Sequence, residues 1–479
     1  MDYIRGVTRN QVILFPETVE DYITEDNPVR FIDAFAAGLD LAELGFTRAS
    51  PAETGRPAYD PGDLLRLYLY GYLNRVRSSR MLEREAKVNL EVMWLLGKLT
   101  PDFKTVADFR RDNLAAIKAV CREFTLLCRK LKLFGGELVA IDGSKFKAVN
   151  NRRRNFNEAR LSKAIKAMDE KISGYLSSLD QADEADPDPD EPTPRAAELR
   201  EKIETLQQRK AKYQALKQEL KESGAKQVSL TDRDARSMVM HHGSTEVGYN
   251  VQTAVDEKHQ LIVEHEVTND PTDHAHLAEM AVRAKETLGV EQLEVVADMG
   301  YYDGAEVKQC AEAGITTYIP KPLTSVNQKR GLFTKQDFVY DEAKDCYCCP
   351  AGEELTYRYE SFEQNRQIRY YTTSKCRDCP LKARCTTNKR GRRISRWVDE
   401  KLLEEMARRV RARPEVMRRR RQQLSEPPFG TIKRAMGHSY FLMRGLNKVG
   451  AEMSLTVLSY NIKRVINLIG VKKMIEAVT

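Results

Sequence analysis

Two aspartates stand where an apolar strand meets glycine. Leu138-Val139-Ala140-Ile141 reads as a strand ending in Asp142-Gly143-Ser144, and Leu293-Glu294-Val295-Val296-Ala297 ends in Asp298, with Gly300 two residues on. Side chains at strand ends project into the crevice where open α/β sheets gather ligands. Carboxylate oxygens suit magnesium, which keeps coordination positions for water and phosphate. Two such ions about 3.5–4 Å apart activate an attacking oxygen and stabilise a leaving one. An aspartate after a strand is more often a turn former or helix cap. With 70 acids in the chain, a coincident pair carries little weight alone.

Cysteine spacing suggests a second metal chemistry. Six of the nine cysteines crowd into Cys346 to Cys385: Cys346-x-Cys348-Cys349-Pro350, then 26 intervening residues, then Cys376-x-x-Cys379 and Cys385. Two knuckle-like groups at this distance resemble a zinc ribbon, whose tetrahedral site takes four thiolates. In a cytoplasmic chain such clustering points to metal rather than disulfides. Reduced thiols without metal are the alternative. Cys121, Cys128 and Cys310 are scattered and read as buried thiols.

Composition narrows the class. At 479 residues the chain exceeds one compact core and suggests two or three modules. Hydrophobic residues at 41% and charged residues at 31% describe a folded, soluble protein. No apolar run reaches the eighteen or so residues of a membrane helix, and Met1 to Phe15 carries no secretory segment, so the expected location is the cytoplasm. The net charge of +8 is unevenly spread: Arg408 to Arg421 holds eight arginines in fourteen positions, and Arg152 to Arg154 forms a smaller cluster. Such blocks favour a polyanion, although a charge run is usually a solvated helix face.

Elements that must position these groups follow from periodicity. Residues 17 to about 115 read as helical, with Asp60-Pro61-Gly62-Asp63 opening one helix and Thr105-Val106-Ala107-Asp108 a capping box opening another. Leu161, Ile165, Met168, Ile172, Tyr175 and Leu179 form a coiled-coil seam. An acidic tract with three prolines, Asp180 to Pro192, interrupts it, and Leu199, Ile203, Leu206, Tyr213 and Leu220 resume helical spacing. The pattern predicts an antiparallel hairpin inserted into another domain. Strands follow at Tyr249–Val255, Leu261–Val267, Leu293–Ala297 and Thr316–Ile319, with helices at about 275–287 and 305–313 between them. Apolar strands joined by helices imply an α/β mixed sheet with helices on its faces. From Glu400 to Gly470 the chain is helical again, and His241-His242, before a strand, suits solvent or DNA better than metal.

Several ordered motifs resemble the DDE transposases of bacterial insertion sequences. Ala140-Ile141-Asp142-Gly143-Ser144-Lys145-Phe146 looks like their first-aspartate motif, and Val296-Ala297-Asp298-Met299-Gly300-Tyr301-Tyr302 like their second. Glu426-Pro427-Pro428-Phe429-Gly430-Thr431-Ile432-Lys433 resembles the third, an acid followed by Phe-Gly and then a lysine seven residues on. Gly248-Tyr249-Asn250-Val251-Gln252, Tyr440 to Asn447 and Tyr460 to Arg464 continue the likeness, which spans about 60 to 470. The family often has arginine four residues before the glutamate. Gln422 stands there instead, with Arg421 as the candidate substitute.

The resemblance implies an RNase H-like fold with Asp142, Asp298 and Glu426 as catalytic, metal-binding residues holding two Mg2+ or Mn2+ ions. It implies DNA contacts by Lys433, Arg421 and Arg444, with Lys433 two turns beyond Glu426 and Glu426 at the start of its helix. Cys-Pro followed by Cys-x-x-Cys and Cys recurs in the same family; Cys349, Cys376, Cys379 and Cys385 are the preferred zinc ligands, with Cys346 or Cys348 as replacements. The domain boundaries expected are 1–115 for a helical domain with possible DNA-end binding, 116–150 plus 225–325 plus 400–470 for the catalytic core, 151–224 for the hairpin and 326–399 for the Cys-rich insertion. The implied partners are terminal inverted repeats, target DNA and further copies of the chain, in a nucleoid-associated cytoplasmic protein. Rival readings are an inactive DNA-binding relative and an RNase H-like nuclease without strand transfer.

Overall fold

The computed structural model describes residues 17–51, 53–54, 57–151, 154–184, 194–240, 243–322, 326–363, 366–414 and 421–479. Arg152-Arg153, His241-His242, most of the acidic tract and Arg418 to Arg420 lie outside the described residues.

The N-terminal region is helical as its periodicity requires: α1 (Pro28–Ala37), α2 (Pro61–Leu73), α3 (Ser79–Val88), α4 (Leu90–Leu95), α5 (Phe103–Asp112) and α6 (Leu114–Lys130). Asp60 caps α2 by accepting from Gly62 N, with Pro61 in the first turn. The expected cap of α5 at Thr105 is corrected: Asp102 is the cap, accepting from the amides of Lys104 and Thr105, so the helix is capped three residues earlier. Taking those two amides places Thr105 inside the first turn and not before it.

At the centre lies a six-stranded mixed sheet. Strand β1 (Leu138–Lys147) leads, through the two-residue β2 (Asn155–Phe156), into the hairpin helices α7 (Glu158–Glu184) and α8 (Pro194–Ser223). The chain returns through β3 (Val228–Ser229), which pairs with β2. Then come β4 (Arg236–Val239), β5 (Thr245–Asp256), β6 (Ile262–Thr268), α9 (Leu277–Leu288), β7 (Leu293–Ala297), α10 (Gly304–Glu312) and β8 (Ile315–Tyr318). The spatial order is β6-β5-β1-β7-β8, with β4 also on β5. Strand β5 is antiparallel to both of its neighbours β1 and β6, so β6, like β7 and β8, runs in the direction of β1. This is the RNase H-like arrangement that the motifs imply.

One face of the sheet packs on α9 and, with the N-terminal helices, on the long apolar α15 (Leu446–Ile469) in a single continuous core that also reaches α16 (Val471–Glu476). The hairpin has its own small core, built on Phe156, Leu161, Met168, Tyr213, Leu216, Leu220 and Val228. The Cys-rich segment carries α11 (Val326–Lys329), β9 (Val339–Asp341), β10 (Cys346–Cys348), β11 (Glu354–Glu363), β12 (Arg366–Thr372), α12 (Lys382–Cys385) and β13 (Arg393–Trp397). Its strands form a separate five-stranded sheet around Phe338, Tyr347, Leu355, Tyr371 and Ile394. Beyond it lie α13 (Glu400–Ala412) and α14 (Arg421–Gly430). Among the described residues no helix is long and apolar enough to cross a membrane.

Packing tolerance is small where α2 turns towards α3. A Cβ on Gly71 would lie 2.4 Å from Val76 O and 2.5 Å from Leu82 Cδ2. Gly71→Ala is therefore expected to cost about 1–3 kcal/mol, as overpacked cores do, read as a lowered urea midpoint at unchanged slope.

Candidate active site

The strand register brings the two aspartates together. Parallel pairing of β1 with β7 ends at Ile141 opposite Ala297, which leaves Asp142 and Asp298 as the next residues on neighbouring strands. Alternation along a strand puts them on the face that carries Leu138, Ala140 and Val296. Leu424 of α14 packs on those three side chains. The expectation that the first strand stops before Asp142 is corrected: β1 runs on to Lys147, because antiparallel pairing with β5 continues after β7 has ended.

Asp142 is a perturbed acid. Burial, above all, and the Asp298 carboxylate beside it push its pKa up to about 6, against the Ser425 hydroxyl, the Gly143 amide and the charge of Arg421. Asp298 caps a short turn, Met299–Tyr301, by accepting from Gly300 N at 2.7 Å. Among the described residues neither aspartate forms an ion pair. Two carboxylates side by side without a paired cation form a donor set that suits a hard divalent ion.

Glu426 follows Ser425 on the helix that covers this face, and its side chain is exposed. Its expected place at a helix start is corrected: α14 has Glu426 in its interior, with Pro427 and Pro428 behind it. Pro427 has no N–H for the Gln423 carbonyl four residues back. Gln260 Nε2 supplies that hydrogen bond instead, at 2.9 Å. The helix then widens into a π turn, Thr431–Ala435, which contains Lys433. Such turns are frequent at functional sites. Among the described residues no three acidic, cysteine or histidine side chains approach closely enough to enclose an ion.

The three cations expected to meet DNA differ in place. Lys433 turns its ammonium onto β1, donating to Ser144 Oγ at 2.5 Å and Lys145 O at 2.8 Å, 4.4 Å above the Phe146 ring. Burial, then the charge of Lys145, lowers it to about 8, with Asp142 opposing. Arg421 is half-buried at the Asp142 end of α14, whereas Arg444 is exposed. The loop carrying Arg444 is pinned from below. The fully buried Glu452 carboxylate accepts from the amides of Leu442 and Met443 and lies 3.6 Å from Arg77, while Asp232 and Asp234 accept from the amides of Gly445 and Leu446. Glu452 gave no signal in the sequence.

In the Cys-rich segment Cys349, Cys376 and Cys379 lie near enough to Cys385 for their charges to act on it, but among the described residues no three of these thiols are close enough to enclose an ion. The Cys385 thiol is pushed up chiefly by burial, against Arg392, with further contributions from Cys376, Cys349 and Cys379. Cys349 closes a tight turn after β10, where its carbonyl accepts from Gly352 N at 2.8 Å. Gly391, at φ +100°, lies so close to Cys376 that a Cβ there would meet Cys376 Cβ at 2.5 Å. Cys346 and Cys348 sit on β10, the first buried and the second half-buried.

Two family models match the chain. Residues 17–112 match the model described as transposase domain (DUF772), and residues 348–466 match that described as transposase DDE domain. A search of curated proteins finds no match. Among solved structures, a piggyBac transposase synaptic complex with hairpin DNA, determined by cryo-EM, aligns over 95% of this chain and 79% of that one, at 8% identity and a TM-score of 0.33.

In the metal-free chain, carbon-13 NMR of the aspartate carboxylates should show Asp142 titrating near pH 6, protonated below and ionised above. Asp298→Asn should lower that midpoint without returning it to the ordinary range, because burial is the larger cause. An unmoved midpoint would remove the coupling between the two acids.

Proposed function

We propose that this chain, which matches a transposase DDE domain model over residues 348–466 and a transposase domain model over 17–112, cuts DNA at the terminal inverted repeats of its own element and joins the freed ends to target DNA. One observation carries the reading: the level placement of Asp142 and Asp298 on neighbouring strands where the pairing of β1 with β7 ends, on the face covered by the helix of Glu426. Enzymes of this family use divalent metal ions. Asp142, Asp298 and Glu426 would hold Mg2+ or Mn2+, two ions in the two-metal form of such sites. When bound, the metal supplies Lewis acidity at the phosphate and makes water a nucleophile at neutral pH.

In the first step water oxygen bonds to phosphorus and the bond to the 3′-oxygen breaks, leaving a 3′-hydroxyl. In the second, that hydroxyl bonds to a target phosphorus and the target's own 3′-oxygen leaves. No serine or tyrosine nucleophile is needed. Asp142 must lose its proton to hold the ion, so metal binding competes with protonation and weakens as the pH falls. Lys433 holds β1 against the catalytic helix and turns from Ser144 to a DNA phosphate when DNA enters. Arg421 and Arg444 flank the site as phosphate contacts, with affinity falling as salt rises. Synapsis of two ends brings at least two copies of the chain together.

The test uses labelled DNA containing the inverted repeats that flank the gene, with magnesium present. Wild type should cleave and yield joined product. Asp298→Asn should lose cleavage by at least about a hundredfold, as loss of a metal ligand does, while still shifting the same DNA in gels. Unchanged cleavage would reject the triad; cleavage without joined product would favour a nuclease.

For the Cys-rich segment we propose a structural zinc held by Cys349, Cys376, Cys379 and Cys385. Elemental analysis should find one zinc per chain, lost in Cys379→Ser and kept in Cys348→Ser; equal zinc in both would refute this ligand set.

A further inference from the structure

Beneath the paired aspartates, on the opposite face of the sheet, lies a polar cluster with no part in the steps above. Gly143 pairs with Gln252 and Lys145 with Asn250 across β1 and β5, so these side chains share the face turned away from Asp142. Asp273, in the segment between β6 and α9, is the acceptor on which they converge. Its Oδ1 accepts from Asn250 Nδ2 at 2.6 Å, Gln252 Nε2 at 2.8 Å and Lys145 Nζ at 2.9 Å. The carboxylate lies directly under the backbone that follows Asp142. A Cβ on Gly143 would stand 2.6 Å from Asp273 Oδ1 and 2.7 Å from Gln252 Nε2. Glycine is required there because this cluster occupies the space.

The cluster also reaches the second aspartate. Gln252 Oε1 accepts from the hydroxyl of Tyr301, whose ring is almost fully buried. Tyr301 closes the turn that Asp298 opens and caps. A continuous path thus runs from the underside of Asp142, through Asp273 and Gln252, to the residue that sets the turn of Asp298.

We propose that Asp273 is a positioning residue which fixes the spacing of Asp142 and Asp298 from below. The proposal rests on the reading of those two acids as metal ligands. Asp273 does not itself hold the ion; three donors already occupy its carboxylate. It acts as the outer-shell partners of metal sites act, by restricting where the ligands sit, and loss of such a partner typically weakens metal affinity by about 10–100-fold.

The test is calorimetric titration of the full chain with Mn2+ alone, without DNA, beside thermal melting. Asp273→Ala should weaken Mn2+ binding about tenfold. Asp273→Asn keeps an acceptor oxygen for Gln252 and Asn250 and should recover most of the affinity. Tyr301→Phe cuts the path at its other end, removes no charge, and should weaken binding in the same direction. It carries the test if Asp273→Ala does not fold. Wild-type affinity in Asp273→Ala or Tyr301→Phe, with Asp142→Asn abolishing binding, overturns the positioning role and leaves the metal pair standing. Asp273→Asn as weak as Asp273→Ala also overturns it, because charge rather than geometry would then be the cause. Mn2+ binding undiminished by Asp142→Asn overturns the metal pair itself.

Discussion

A single offset in strand pairing governs this site. Strand β1 keeps its antiparallel neighbour for several residues after its parallel neighbour has ended. The step so formed exposes one edge of β1 at Asp142, beside the first residue to leave β7. Both carboxylates face the same way because side chains alternate with period two. A one-residue slip would send one of them to the opposite face. The like charges and burial that raise Asp142 follow directly from that register, as does the covering of this face by Leu424 and its helix.

Buried charges then tie distant segments to the step. Glu452 on α15, Arg77 after α2 and Arg110 on α5 lie in one largely water-free cluster with Tyr68 and Tyr72. Burial raises the Glu452 carboxyl, against Arg110, the two loop amides and Arg77. Desolvating such groups is costly unless each is met by a partner. The partners come from the N-terminal helices, the long C-terminal helix and the loop that joins Arg444 to β1, where Phe441 N donates to Lys147 O. The N-terminal helices are thereby part of the same core as the sheet.

Much of this was legible in the sequence, because the informative patterns were local. The hairpin seam, the strands from Tyr249 onward and the glycines after each aspartate are readable from period and turn chemistry, whereas Glu426, which only the family motifs pointed to, stands exposed on the covering helix. What escaped has a common physical cause: competition between partners far apart in the chain. The cap of α5 went to Asp102 over Thr105 because Asp102, three residues earlier, already accepts from the amides of Lys104 and Thr105. The interior prolines of α14 are tolerated because Gln260, far upstream, meets the carbonyl that Pro427 leaves free. Asp273 lies in a turn-rich stretch that reads as an ordinary loop until Gly143 and Gln252 are beside it.

The hairpin joins the sheet through a clasp of two residues on each strand, Asn155–Phe156 against Val228–Ser229, and has its own apolar seam. It is in effect an oar on a short rowlock. With 27 residues in α7, the blade reaches roughly 40 Å from the clasp. A tilt of about 10° at the pivot sweeps the tip through roughly 7 Å over that length, while Asp142, thirteen residues before Asn155 in the chain, stays where the sheet holds it. Blade length can therefore drift between descendants, and the tip can take up whatever it meets, without retuning the chemistry at the hull.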